Sequence, residues 1–347
     1  MIKKITFFVA SLFIVGFSCS KDEPTNSVPS PSYPTGNIIK NPASIGTVGD
    51  TSDVQTIAKS GVLLAGGSTD VDEAMQWLNA QANKGDVVII RASGSVGYNQ
   101  YLYDFGGVNS VETLLIDTKI LANNPQVANR IKQAEVLFIA GGDQANYVNF
   151  WKGTLVEEAI NYLINTKKVT VGGTSAGCAI LGDVIFDALN GTITSAEALQ
   201  NPYHSKLSIQ KGEFIKIPFL KNTITDTHYN NPDRKGRHLT FMARMAKENN
   251  IAQGIGIEEK TAVAINDKGF AMVFGFGNAH FLINTLLPER CAANQALSWN
   301  NNQKAVLAYT IMGSGTGNGT FDLNTWKGIS GGTVSYFYAE SGVFYQK

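Results

Sequence analysis

The chain has 347 residues, enough for one large domain or two ordinary ones, and 44% of them are hydrophobic. Its 28 basic and 28 acidic side chains cancel, so net charge gives no reason to expect nucleic acid as a partner, while local charge is still allowed. Three cysteines do not make a disulfide framework, and no Cys/His spacing resembles a zinc site, so no metal is expected.

Lys3 and Lys4 precede an apolar run from Ile5 to Phe17, followed by Ser18 and Cys19. A basic start, a short apolar core and small residues read as an export signal, too short and wrongly flanked for a spanning helix. Ser18-Cys19 resembles the end of a bacterial lipoprotein signal, in which the cysteine is lipidated and becomes the mature N-terminus. Ser20-Lys21-Asp22-Glu23 resembles the tract that sends some Gram-negative lipoproteins to the cell surface. Residues 1–19 are therefore read as a lipoprotein signal, with Cys19 lipidated in the outer membrane of the cell envelope; a plain cleaved secretory signal is the alternative. Residues 20–55 are rich in Pro, Ser, Thr, Asn and Gly and read as a flexible tether.

An α/β domain is expected over residues 56–285. The apolar strand Val62-Leu63-Leu64-Ala65 runs into Gly66-Gly67, and Ala74, Trp77 and Leu78 then fall on one helix face. Further apolar runs are Val87–Ile90, Thr113–Ile116, Val136–Ala140 and Val169–Val171, with helical patterns near Asn129–Gln133 and Leu155–Asn165. Continuous apolar strands alternating with amphipathic helices predict a mostly parallel sheet covered on both faces, whose ligands bind beyond the carboxyl ends of the strands. After Leu189 the pattern loosens. A helix is predicted over Leu239–Lys247, with short strands at Gly254–Ile257, Thr261–Ile265 and Ala271–Phe276. Residues 286–347 are expected to form a β-rich C-terminal extension.

The segment Val169–Cys178 reads as a strand running into Gly173-Thr174-Ser175-Ala176-Gly177 and then a helix, the context a nucleophilic serine needs. Gly173 and Gly177 leave room where a Cβ would clash, and the helix N-terminus points free N–H groups at the reacting centre. Cys178 reads as a small buried apolar residue. A serine nucleophile needs a base and an orienting acid. His228 ends the β-prone stretch Ile224–Tyr229; Glu258 and Glu259 follow another strand end and could supply the acid. Arg234, Lys235 and Arg237 follow His228, and a guanidinium there could hold a substrate carboxylate. An α/β-hydrolase esterase would instead use the order Ser175, then Glu258 or Glu259, then His280. A binding module that keeps the fold without catalysis is the non-enzyme alternative.

Gly141-Gly142-Asp143-Gln144, Gly173–Gly177, Asp226-Thr227-His228-Tyr229 with arginines soon after, and Gly254–Ala262 occur in the order and approximate spacing of cyanophycinase-like serine peptidases. These are relatives of dipeptidase E with a class I glutamine-amidotransferase-like, flavodoxin-like α/β fold, and the resemblance covers about residues 60–285. It implies Ser175 as nucleophile, His228 as general base and Glu259 as acid, with Glu258 adjacent and still open. It implies backbone N–H groups of Gly142 and Ala176 as the oxyanion hole, and Gln144, Asp226, Arg234 and Arg237 around the substrate. It further implies hydrolysis of an amide next to an aspartyl residue through an acyl-enzyme, on a peptide or cyanophycin-like polymer. No cofactor is called for, and a homodimer is compatible with the family. Cyanophycinase itself carries an arginine where this chain has Pro232, which bears on substrate binding more than on the serine chemistry.

Overall fold

Two strands open the described part of the chain. The computed structural model describes residues 41–347, so the signal, Cys19 and the first part of the expected tether lie outside the described residues. In chain order come β1 (Ser44–Gly49), β2 (Gly61–Ala65), α1 (Asp72–Gln81), β3 (Asp86–Arg91), α2 (Gly97–Asp104), β4 (Ser110–Leu115), α3 (Lys119–Ala122), α4 (Pro125–Gln133) and β5 (Val136–Ile139). Next are α5 (Gln144–Trp151), α6 (Leu155–Tyr162), β6 (Thr170–Thr174), α7 (Ala176–Ala179), β7 (Val184–Phe186), α8 (Ser195–Gln200), β8 (Ile209–Lys211), β9 (Thr223–Asp226) and α9 (Lys235–Asn249). The remainder is β: β10 (Gln253–Ile257), β11 (Thr261–Asn266), β12 (Phe270–Gly275), β13 (Asn278–Asn284), β14 (Val306–Met312), β15 (Asn318–Asp322), β16 (Lys327–Ser330), β17 (Gly332–Glu340) and β18 (Val343–Gln346).

These strands form a ten-stranded sheet in the order β1-β4-β3-β5-β6-β2-β11-β12-β15-β16 and an eight-stranded sheet in the order β18-β17-β14-β13-β10-β9-β7-β8. Only the run β4-β3-β5-β6-β2 of the first sheet, and β7-β9-β10 of the second, is parallel. The expectation of a mostly parallel sheet is thus corrected to a partly parallel one beside a second mixed sheet. Beyond β10 several antiparallel pairs are joined by short turns, such as Asp267-Lys268-Gly269 between β11 and β12, because a parallel pair needs a long crossover; β13 and β14 pair across the longer connection of residues 285–305.

The unbroken apolar strands have a simple cause. Val62 and Leu64 of β2 join one core cluster and Leu63 and Ala65 the other; Val88 and Ile90 of β3 likewise separate from Val87 and Ile89. Alternate side chains leave opposite faces of a strand, so a sheet buried on both sides needs every position apolar. A third cluster lies between the second sheet and α8 and α9, around Phe241, Met242, Leu282 and Trp299.

Two expected boundaries shift. Residues 44–49, placed in the tether, form β1, an edge strand paired antiparallel to β4. It carries two glycines and no apolar alternation, so its strand character comes from the partner edge rather than from its own sequence. The residues after 285 supply β14, β17 and β18 to the second sheet and β15 and β16 to the first. Phe321 of β15 stacks on Phe281 of β13 with ring centroids 4.1 Å apart, joining one sheet to the other.

His238 of α9 is buried, with Nδ1 3.1 Å from the Tyr229 hydroxyl and Nε2 without a partner among the described residues. Burial, reinforced by the Arg237 guanidinium, lowers its pKa to about 4. Below about pH 6.5 the unfolded imidazole takes up a proton that the folded one refuses until about pH 4, so the unfolded state gains protons and stability falls as pH drops through that window. Thermal unfolding from pH 7 to pH 4 is expected to show this slope, and His238→Gln to lose one proton's worth of it; parallel curves for the two proteins would exclude it.

Candidate active site

β6 delivers Ser175 at the carboxyl end of the parallel sheet, and the backbone there is bent hard. Ser175 has φ 52° and ψ −119°, a region few non-glycine residues occupy, and α7 begins at the next residue. The bend needs glycine on both sides. A Cβ on Gly173 would stand 2.5 Å from the Gly177 carbonyl, and one on Gly177 would stand 2.2 Å from the Ile139 oxygen of β5. Cys178 is fully buried behind the turn, and burial pushes its thiol up, consistent with an apolar packing role.

The second sheet brings the partners. His228 follows β9, and its Nε2 lies 2.8 Å from Ser175 Oγ while its Nδ1 lies 2.7 Å from Glu259 Oε1. With the proton on Nδ1, His228 donates to Glu259 and accepts from the serine hydroxyl. The hydrogen bond from His228 holds the Glu259 carboxyl below the usual carboxylate range. Asn230 and Asn231 steady this acid: Asn230 Oδ1 accepts from the Glu259 N–H at 3.1 Å, and Asn231 Nδ2 donates to Oε2 at 3.4 Å.

Glu258 goes elsewhere. Its Oε2 accepts from the Asn278 backbone and side-chain nitrogens at 2.8 and 3.0 Å, and its Oε1 lies 3.4 Å from His280 Nε2. His280 Nδ1 is 2.9 Å from Thr310 Oγ1, so both ring nitrogens face partners other than Ser175. The Ser175, Glu, His280 order of an esterase is therefore not assembled.

A cleft of about 370 Å³ opens in front of Ser175, lined among others by Gly142, Gln144, Ala176, His228 and Arg234. The N–H groups of Gly142 and Ala176 donate to no other described residue. Gln144 Nε2 is 3.5 Å from the Phe186 carbonyl. Arg237 and Asp226 also line the cleft, but chiefly bind each other: Nε donates to Oδ2 at 2.8 Å and Nη2 to Oδ1 at 2.5 Å. Burial pushes the Asp226 carboxyl up, and the Arg237 guanidinium more than offsets this, leaving it below its ordinary value. Arg234 is the less committed cation. Its Nη1 donates to the Thr227 carbonyl at 2.9 Å, and its Nε has no partner among the described residues.

The residues absent from the sequence expectation are Ala65, Gly66 and Gly67. Their carbonyls accept from the backbone N–H of Ser175, His228 and Lys260 at 3.1, 2.8 and 3.1 Å. A Cβ on Gly67 would stand 2.5 Å from His228 Nε2, and one on Gly66 would stand 2.0 Å from the Glu258 oxygen. Two adjacent glycines directly after an apolar strand were the available signal.

The family model described as Peptidase family S51 matches residues 62–273. Over 266 residues the chain is 27% identical to the cyanophycinase of Trichormus variabilis, spanning 72% of this chain and 84% of that one. It is 23% identical over 256 residues to the cyanophycinase of Geminocystis herdmanii, spanning 71% and 85%. Among solved structures, a putative peptidase E protein from Listeria monocytogenes aligns at 17% identity with a TM-score of 0.41, covering 63% of this chain and 100% of that chain.

Gly177→Ala is expected to destabilise the protein by about 3 kcal/mol or more, because backbone must move to admit the methyl group. Gly97→Ala, with nothing within 4 Å of the new atom, serves as the neutral control. Urea unfolding with serine labelling by a fluorophosphonate probe reads both; equal stability of the two variants would contradict the packing argument.

Proposed function

The chain belongs to peptidase family S51, and from that membership we propose that Ser175, His228 and Glu259 form the catalytic triad of a hydrolase acting on amides next to aspartyl residues. It is a serine peptidase of the cyanophycinase-like kind. The observation that carries the assignment of roles is the unbroken hydrogen-bond chain from Ser175 Oγ through His228 to Glu259.

In this reading the Ser175 oxygen attacks the scissile carbonyl carbon while its proton passes to His228 Nε2. The oxyanion of the tetrahedral intermediate sits against the N–H groups of Gly142 and Ala176, a stabilisation typically of about 3 kcal/mol. The C–N bond breaks, the amine leaves with the proton from His228, and Ser175 is left as an ester. Water then gives its proton to His228, attacks the ester carbonyl and releases the acid product, restoring the serine. Glu259 keeps the imidazole in the required tautomer and offsets its positive charge while it holds the extra proton. Arg234 faces the substrate carboxylate, Gln144 its backbone, and the paired Asp226 and Arg237 form a rigid polar wall. The supporting observation for Arg234 is its place in the cleft lining.

We further propose lipidation of Cys19 and a cell-envelope location, supported by the residues Lys3 to Glu23 alone. Labelled palmitate should enter the protein in cells of a lipoprotein-processing bacterium and be lost on Cys19→Ala; equal labelling of both would remove the anchor.

Purified protein is expected to cleave cyanophycin, β-aspartyl dipeptides or α-linked Asp-X peptides, with products identified by mass spectrometry. Ser175→Ala and His228→Ala should each lower kcat by about 10³-fold or more. Arg234→Gln should raise KM and leave kcat less affected. Cleavage by Ser175→Ala would refute the serine mechanism, and inertness toward all three substrates would refute the aspartyl assignment.

A further inference from the structure

The turn that carries the Gly142 N–H leaves β5 and is anchored at Ala140, whose N–H donates to the Ile90 carbonyl of β3 at 3.1 Å. Gly141 and Gly142 follow, and neither makes a backbone hydrogen bond with another described residue. The chain is caught again at Asp143, which caps α5 by accepting from the Ala145 N–H at 3.0 Å. Two glycines between two anchors have wide backbone freedom, so a further contact has to fix the direction of the Gly142 N–H.

Tyr147 is placed to supply it. It lies in the first turn of α5, and long helical side chains lean toward the helix N-terminus, here back over the glycine turn. Its hydroxyl donates to the Ala140 carbonyl at 2.8 Å. That carbonyl also borders the Ser175 turn, since a Cβ on Gly177 would stand 2.7 Å from it. The same hydroxyl backs Gly142, where a Cβ would stand 2.8 Å from the phenolic oxygen and 3.5 Å from Ser93 Oγ. The ring is itself held. It stacks on Trp151 with centroids 4.3 Å apart and planes inclined at 14°, and the Trp151 indole N–H donates to the Ile116 carbonyl at 2.8 Å. Tyr147 is 1% exposed and is not part of the cleft lining, so it touches no substrate. Burial pushes its phenol above the ordinary value, which keeps it a donor through neutral and alkaline pH.

We propose that Tyr147 is a positioning residue for the oxyanion hole: by holding the Ala140 carbonyl and backing Gly142, its hydroxyl aims the Gly142 N–H at the oxygen of the carbonyl under attack. This role rests on the reading of Ser175 as nucleophile and Gly142 as oxyanion donor. An N–H aimed in this way stabilises charge that develops only in the transition state, so its loss falls on kcat and not on substrate affinity. Tyr147→Phe keeps the stacked ring and removes only the grip.

Three readouts separate positioning from a merely structural role. They are kcat and KM on an aspartyl peptide, the rate of Ser175 labelling by a fluorophosphonate, whose phosphoryl oxygen enters the same hole, and the urea unfolding midpoint. Thr170→Val is the matched control. It also removes a buried hydroxyl bonded to a carbonyl, that of Lys59 at 2.8 Å, at the opposite end of β6 from Ser175. Tyr147→Phe should lower kcat about tenfold, leave KM within about twofold and slow labelling about tenfold. Thr170→Val should lower the urea midpoint at least as far and leave both rates unchanged. Gly142→Ala reads the same contact whether or not the tyrosine variant folds. It should slow labelling, and cost less in the Tyr147→Phe background, because the ring carbon stands 3.6 Å from the new methyl where the hydroxyl oxygen stands 2.8 Å. Unchanged kcat and labelling in Tyr147→Phe, a raised KM with kcat intact, equal rate losses in Thr170→Val, or wild-type labelling of Gly142→Ala overturns the positioning role. Wild-type protein that labels at Ser175 and cleaves no aspartyl peptide overturns the substrate assignment alone, and slowed labelling of Tyr147→Phe then still supports the positioning role.

Discussion

Three consecutive carbonyls at the end of β2 set the geometry on which the site depends. Ala65, Gly66 and Gly67 receive the backbone N–H groups of Ser175, His228 and Lys260 in turn, and the Gly66 N–H donates to the Thr261 carbonyl at 2.9 Å. One short stretch thus fixes the main chain at Ser175, at His228 and beside Glu259, although these residues come from three places in the sequence and two sheets. Productive geometry tolerates displacements of only about half an ångström, which side-chain hydrogen bonds alone do not secure. A Cβ on Gly66 would strike the Glu258 backbone and one on Gly67 the His228 ring, so neither glycine can carry one. The Ser175 turn is braced a second time from β5, whose Ile139 carbonyl abuts Gly177.

Much of the first sheet was legible because burial on two faces writes itself into sequence as unbroken apolar runs; β2, β3 and β5 fall within a residue of those runs, and β6 continues three residues past its run into the serine turn. The serine turn and the helix of His238 were legible for similar local reasons. The second sheet was less so: β7 and β8 have three residues each and were not predicted, whereas β10, where Tyr229 packs in the space a Gly256 side chain would take, was placed to within a residue. Pairing decides such strands, and pairing partners distant in sequence leave no local trace. The edge strand β1 is the extreme case, since its residues match a linker composition and become ordered through β4.

The choice between Glu258 and Glu259 belongs to the same class of problem. Neighbouring residues of an extended chain point to opposite sides, so two adjacent carboxylates cannot both reach one histidine. β10 pairs with β13 so that Ile257 opposes Ala279, which places Glu258 beside Asn278 and His280 and leaves Glu259 turned to His228. Register settles what composition left open. It also puts two Glu–His pairs back to back, only one of which meets a serine hydroxyl.

A protein of zero formal charge can still present a strongly polarised site, because its ion pairs are spent unevenly. Arg237 and Asp226 satisfy each other in a buried bidentate pair, with the guanidinium 5.3 Å from the Phe186 ring centroid and 5.9 Å from that of Phe241. A planar guanidinium suits this position, since it can be gripped at its edge by a carboxylate and flanked by rings, which an ammonium cannot match. The pair brings little net charge to the cleft and costs desolvation, so its contribution is a fixed surface more than attraction. Arg234, the other guanidinium of the cleft, lies 4.0 Å from the same carboxylate and donates to the Thr227 carbonyl. Which charged groups face the cleft and which are tied up within it follows from packing, and a count of basic and acidic residues cannot reveal it.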